Sequence, residues 1–291
     1  MNKSVKTAVF PVGGLGTRFL PATKSMPKEM LTVVDKPLIQ YAFEEAKNAG
    51  IEHFIFITGR NKNIISNHFD HAYELQKVLD EKEKKHLLSL AKDWLPEAGN
   101  IAFVRQQEPL GLGHAIYCAR NFIKDEPFAV LLADEMLLSE GKPLLNEMVD
   151  LYDKVGGNIL GLAEVEKEDT KKYGIVKAEE ESGNTVKISD MVEKPAPSKA
   201  PSNLSIVGRY ILEPEIFNYL GKSKSGKGGE IQLTDSMKDM LKTTSAHGIK
   251  FKGGRFDCGG RRGFLEANIA FALNRKDMHD DVMSILKGFV S

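Results

Sequence analysis

The sequence predicts an α/β protein: a mixed, mostly parallel sheet flanked by helices, then a β-rich second half and closing C-terminal helices. Three observations predict it. Short apolar runs without polar alternation occur at Thr7–Val12, His53–Thr58, Ile101–Arg105 and Phe128–Ala133, the pattern of strands buried on both faces. A helical period stands between the first two, with Leu38, Ile39, Ala42, Phe43 and Ala46 on one face of Leu38–Asn48 and Gly50 as a stop. Alternation of the two kinds of segment places helices on both sides of a parallel sheet.

The remaining elements follow in order. Glu74–Leu95 is helical in pattern and carries Glu81-Lys82-Glu83-Lys84-Lys85, a solvated face rather than a binding tail. Gly113–Asn121 reads as a helix. From about Ile159 the strands shorten, with candidates at Ile159–Glu164, Gly174–Lys177, Val186–Val192 and Leu204–Leu212, and Ser198–Asn203 as a loop. Gln232–Leu241, Gly263–Leu273 and Met278–Leu286 are helical in spacing. The chain reads as one domain in three parts, at about 1–158, 159–257 and 258–291.

Composition narrows the function. Lys+Arg and Asp+Glu balance at 40 each, which leaves no basic field for nucleic acid and no acidic tail. Phosphate chemistry, if present, must come from a local cluster. The two cysteines, Cys118 and Cys258, have neither zinc nor redox spacing, so a reduced, cytoplasmic setting is expected. The segment after Met1 is broken by Pro11 and Gly13, too early for a signal peptide, and no stretch approaches the ~20 apolar residues of a membrane span.

Ligands of such sheets bind beyond the carboxyl ends of the strands, which selects the segments after Val12, Arg105 and Ala133. After Val12 comes Gly13-Gly14-Leu15-Gly16-Thr17-Arg18. Glycines let main-chain N–H groups approach phosphate oxygens closely. The dinucleotide fingerprint would need glycine where Phe19 stands, and a P-loop would need Gly-Lys-Ser/Thr where Arg18-Phe19-Leu20 stand. Arg18, Lys24 and Lys28 follow the turn and suit a triphosphate. After Ala133 comes Asp134-Glu135; an aspartate ending an apolar run is costly to bury unpaired and must face a cation or a cleft. Magnesium takes one or two carboxylates plus phosphate oxygens and water, so Asp134 is the first candidate ligand and Glu135 the alternative.

The string Gly13-Gly14-Leu15-Gly16-Thr17-Arg18, then Pro21-Ala22-Thr23-Lys24 and Pro27-Lys28-Glu29-Met30, resembles the signature of the sugar-nucleotide pyrophosphorylases. With Val34-Asp35-Lys36-Pro37-Leu38-Ile39-Gln40-Tyr41 behind it, it is similar to the bacterial UTP–glucose-1-phosphate uridylyltransferases. The resemblance implies a Rossmann-like sheet, and Val12, Gly13, Gly14, Gly16, Thr17, Arg18, Lys28 and Glu29 around the triphosphate of UTP. It implies that Gln106 and Gly111, in Arg105-Gln106-Gln107-Glu108-Pro109-Leu110-Gly111, hold the base; an amide can meet both donor and acceptor of a uracil edge. Alone, both are ordinary loop residues, and His114 simply begins a helix.

The resemblance also implies that Asp257, in Arg255-Phe256-Asp257-Cys258-Gly259, completes a magnesium site with Asp134; alone it reads as a turn or capping residue. Tyr173-Gly174-Ile175-Val176, Val192-Glu193-Lys194-Pro195 and Val207-Gly208-Arg209-Tyr210 resemble the sugar-phosphate pocket. From these come Gly174, Glu193, Lys194, Val207 and Gly208, with Glu230 from Gly229-Glu230-Ile231-Gln232; alone, Glu193-Lys194 is an exposed pair of little worth. Arg18, Lys28, Asp134, Lys194 and Asp257 are the expected catalytic set. Relatives form dimers or tetramers, and Val282, Met283, Ile285 and Leu286 could bury against a second subunit or the chain's own core.

The implied reaction is transfer of the uridylyl group of UTP to glucose 1-phosphate. Another sugar phosphate or dTTP is the nearest alternative. Phe19 and the basic run disfavour an NAD-dependent oxidoreductase. A non-catalytic nucleotide sensor could dispense with the paired carboxylates and Glu193-Lys194.

Overall fold

The computed structural model describes residues 3–223 and 229–290; Met1 and Asn2, where the leader reading begins, lie outside them. The strands are β1 (Thr7–Val12), β2 (Thr32–Val33), β3 (Lys36–Pro37), β4 (His53–Thr58), β5 (Ile101–Arg105), β6 (Phe128–Leu131), β7 (Glu135–Ser139), β8 (Asn158–Glu164), β9 (Gly174–Ser182), β10 (Thr185–Glu193), β11 (Leu204–Leu212), β12 (Ala246–Lys250) and β13 (Gly253–Asp257). The helices are α1 (Leu38–Asn48), α2 (Asn63–His68), α3 (Tyr73–Glu81), α4 (Lys85–Lys92), α5 (Leu112–Tyr117), α6 (Leu144–Val155), α7 (Ile216–Leu220), α8 (Leu233–Met240), α9 (Arg261–Asn274) and α10 (His279–Val290).

One nine-stranded sheet runs through the molecule in the order β5-β4-β1-β6-β11-β8-β12-β10-β9. Its first half is parallel, β1 pairing with β4 and β6 and β4 with β5. From β11 onward antiparallel pairs enter, with β11 against β6 and β8 and β10 against β12 and β9. The parallel half aligns the carboxyl ends of β1, β4, β5 and β6 along one edge, and the site lies there.

Pleating divides the side chains of each strand between two cores. Val9 faces a cluster with Ile116, Leu220 and Met237, roofed by α5, α7 and α8, while Ala8 and Phe10 face α1 and α6. The second core contains an aromatic layer: Phe10 stacks on Phe56 at 4.7 Å, and Phe56 on Phe103 at 5.4 Å. A third, smaller core of Val33, Leu38, Met136, Cys258 and Ala267 supports the ribbon of β7 and β13 under α9. Among the described residues no helix is long and apolar enough to cross a membrane.

Two expectations change. Glu74–Leu95 is not one helix: α3 and α4 are separated where Glu83 takes φ +52°, a left-handed helix stop. Asp257, which alone reads as a turn or capping residue, belongs to a strand pair. It ends a separate strand, β13, which carries no apolar signal because Gly253 and Gly254 open it; its pairing with β7 makes it a strand.

Phe56 is fully buried in the aromatic layer. Phe56→Ala should therefore cost about 3–5 kcal/mol in a urea unfolding curve. Leu87→Ala, on the open face of α4, should cost less than about 0.5 kcal/mol. Equal losses would show that the layer is not the stabilising core.

Candidate active site

The glycine loop leaves β1 and folds back over Lys28. Gly16 has φ +65°, and a Cβ on it would stand 3.1 Å from Cβ of Lys28; Thr23 Oγ1 donates to the Gly16 carbonyl at 2.7 Å and closes the turn. A Cβ on Gly13 would lie 2.8 Å from Gln106 Oε1, so glycine there lets the amide lie against the loop. Val12 is in the core and can meet a ligand only through its main chain. Thr17 and Arg18 are exposed, and the Arg18 guanidinium donates to the Gly259 carbonyl at 3.4 Å.

Lys28 forms an ion pair with Asp134 across the cleft. Burial works against the ammonium, but Asp134 and then Glu29 outweigh it and lift the Lys28 pKa above its usual value. Burial likewise works against the Asp134 carboxylate, and Lys28 holds its pKa below the usual range. Glu29 is buried beneath the loop and accepts from Lys62 Nζ at 2.7 Å. Burial pushes its pKa up. Its side chain lies beneath the loop and is not an exposed contact.

The carboxylates meet through the β7–β13 ribbon. Its register sets Asp257 opposite Glu135, and the Cys258 N–H donates to the Asp134 carbonyl at 2.7 Å. The point where a Gly259 Cβ would stand is 2.8 Å from Asp257 Oδ1, 3.2 Å from Asp134 Oδ2 and 3.4 Å from Arg18 Nη1. Two carboxylates within 3.2 Å of one point are donors of the kind that magnesium takes. Glu135 is committed elsewhere: Arg255 donates to both its oxygens at 3.0 Å, donates to Ser205 Oγ at 2.8 Å, and lies 4.3 Å from the centre of the Tyr173 ring. The Cys258 thiol is buried and pushed up to about 12, first by burial and then by the surrounding acids, so it stays protonated.

At the end of β5, buried Gln106 donates to the Gly111 carbonyl at 3.2 Å, and its amide nitrogen lies 3.2 Å from His114 Nδ1. Gly111 has φ +98°, and a Cβ on it would meet Cβ of Glu230 at 2.7 Å. The same loop is tied down by Ile231, whose N–H donates to Leu110 and whose carbonyl accepts from Gly113. Glu230, expected among the sugar residues, therefore stands against Gly111.

The remaining sugar candidates fall into two groups. Thr234 Oγ1 donates to Glu193 Oε2 at 2.7 Å, and a Cβ on Gly174 would stand 2.9 Å from Thr234 Oγ1 and 3.3 Å from Glu193 Oε2. Lys194 has φ +46°; its N–H donates to the Tyr173 carbonyl and its ammonium lies 3.2 Å from Glu193 Oε1. Val207 is in the core, and Gly208, at φ +67°, crosses close to Glu135.

Sequence reasoning passed over Thr234, Lys62, Arg209 and Arg255 as individual residues. The available signal was an arginine inside the apolar strand Leu204–Leu212, since a charge there must be paired. A cavity of 1170 Å³ lies apart between Tyr41, Trp94 and Phe271, and none of the expected site residues lines it. A cavity of 330 Å³ borders the site at Tyr173, Arg255 and Asp257.

Relatives of this chain match it over nearly its whole length. The family model described as nucleotidyl transferase matches residues 7–273. A UTP–glucose-1-phosphate uridylyltransferase of Bacillus subtilis (strain 168) is 46% identical over 292 residues, 99% of this chain and 98% of its own. The structure of a UDP-glucose pyrophosphorylase complexed with UDP-glucose is 43% identical, with a TM-score of 0.85 over 93% of this chain and all of that one. A UTP-bound UDP-glucose pyrophosphorylase from Acinetobacter baumannii is 38% identical, with a TM-score of 0.89 over 97% of this chain and 98% of that one. Matched from its first strand to its penultimate helix, the chain belongs to the nucleotidyl transferase family.

Proposed function

We propose that the chain transfers the uridylyl group of UTP to glucose 1-phosphate, giving UDP-glucose and pyrophosphate. The observation that carries the reading is the convergence of Asp134, Asp257 and Arg18 on one point, with Lys28 on Asp134, at the mouth of the glycine loop. That arrangement suits a reaction between two anions, whose mutual repulsion is part of the barrier.

The sugar-phosphate oxygen attacks the α-phosphorus of UTP, and pyrophosphate leaves in line. The loop's main-chain N–H groups receive the triphosphate, while Arg18 and Lys28 offset charge on the departing pyrophosphate. Gln106, held beside Gly111, receives the uracil edge. Glu193, oriented by Thr234, faces the sugar hydroxyls. Lys194 leaves Glu193 for the incoming phosphate. Asp134 and Asp257 would hold magnesium, which when bound supplies a template and a Lewis acid for phosphate oxygens. No residue is needed as a strong base, since the attacking group is already an anion.

We also infer a nucleotide half at about 1–158, a sugar-phosphate half at about 159–257 and C-terminal helices at 258–291, in a cytoplasmic dimer or tetramer. Exposed Leu265, Ile285 and Phe289 on α9 and α10 support burial against a second subunit.

Mixing the protein with magnesium, each of four nucleoside triphosphates and several sugar 1-phosphates should release pyrophosphate fastest from UTP with glucose 1-phosphate. Asp134→Asn should lower that rate by at least about 100-fold with the fold intact; a rate near wild type would remove Asp134 from the mechanism. Lys194→Met should raise KM for glucose 1-phosphate by about tenfold and lower kcat, with UTP affinity spared in calorimetry. Collapse of UTP affinity would place this lysine in the wrong half of the site.

A further inference from the structure

Asp134 stands outside any strand, in the turn between β6 and β7, so its carboxylate is only as well placed as that turn. One side chain reaches the main chain of this turn on both sides of Asp134. Arg209, 2% exposed, lies on β11 opposite Leu131 of β6. The register of β11 against β8 shifts between Ile206 and Tyr210, and Gly208 takes φ +67° within that stretch. Such an irregularity re-aims a side chain.

The guanidinium uses all of its donors. Nη1 donates to the carbonyls of Leu132 at 3.0 Å and Gly208 at 3.3 Å, and Nη2 to the carbonyl of Glu135 at 3.0 Å. Nε and Nη2 form a fork on Glu45 of α1, at 3.0 and 2.8 Å. The two gripped carbonyls of the turn flank Asp134. Arg255 holds the Glu135 side chain of the same turn.

We infer that Arg209, locked by Glu45, is a positioning residue for Asp134: it fixes the main chain on both sides of the carboxylate so that the carboxylate meets Asp257. The inference rests on the reading of Asp134 as a metal ligand. A lysine would keep the charge but could not span three carbonyls and a carboxylate, since its donors radiate from one atom. Partners one step behind a metal ligand typically carry about 10–100-fold in metal affinity or activity.

The test compares Arg209→Lys, Glu45→Gln and Asp134→Asn with the wild type. Folding is read by circular dichroism, UTP binding without metal by calorimetry, Mn²⁺ affinity in the presence of UTP by electron paramagnetic resonance, and kcat and KM by pyrophosphate release. Folded Arg209→Lys should keep metal-free UTP affinity and KM within about twofold, while Mn²⁺ affinity and kcat each fall by at least about tenfold. A merely structural arginine would lower melting temperature and leave Mn²⁺ affinity and kcat unchanged in the folded fraction; that result overturns the inference, provided Asp134→Asn loses both. If Asp134→Asn keeps both, the reading of Asp134 itself fails, and the inference with it. Should Arg209→Lys not fold, Glu45→Gln decides by the same readouts. A fall in Mn²⁺ affinity and kcat with KM spared supports the inference, and unchanged Mn²⁺ affinity overturns it.

Discussion

Two carboxylates that share a small space repel each other and give up water, so a protein that joins them must supply the pairing from elsewhere. Here the supplier is a two-stranded ribbon. β13 lies antiparallel to β7 with Asp257 across from Glu135, and the Cys258 N–H reaches back to the Asp134 carbonyl. The ribbon stands on its own small core with Phe256, Phe264 and Phe271 around Met136 and Cys258. Everything else at the site is arranged about that juncture: the glycine loop brings Arg18 and Lys28 to it, and β11 brings Arg209 behind it.

The chain is neutral overall, but the site is built from charges kept in pairs. Lys28 answers Asp134, Lys62 answers Glu29, Arg255 answers Glu135, and Arg209 answers Glu45. Removing either member of a buried pair leaves the other uncompensated, which is why such pairs resist substitution even where their net contribution is small. Of these four, the pair across the cleft, Lys28 with Asp134, joins groups assigned to the substrates and metal, as Lys194 with Glu193 does on the sugar side. The pairs behind it are more enclosed and serve to hold the first in place.

Much of this was legible in the sequence. Thr7–Val12, Leu38–Asn48, His53–Thr58 and Leu204–Leu212 have the bounds that their apolar runs imply, because burial leaves little choice of register or length; Ile101–Arg105 keeps its bounds too, although it is an edge strand with Phe103 and Arg105 exposed rather than a strand buried on both faces. The glycine turn and the aspartate after an apolar strand were visible for the same reason: each breaks a local pattern. What stayed hidden depends on partners far along the chain. β7 and β13 pair with each other and carry glycines or mixed residues, so neither has a period of its own. Arg209 and Glu45 look like unrelated charges until the fold joins them. Glu29 sits in a phosphate-loop sequence, yet its side chain turns under the loop to Lys62, a direction that spacing alone does not encode.

We propose that one divalent ion is shared by the two aspartates that the ribbon brings together. A crystal of the protein grown with Mn²⁺ and UTP, with data collected at the manganese absorption edge, tests it directly. A single anomalous peak is expected about 2–2.5 Å from a carboxylate oxygen of Asp134 and of Asp257 alike, with Glu135 still held by Arg255. A peak bound by Glu135 in place of either aspartate, or one that leaves Asp257 out of reach, would contradict it.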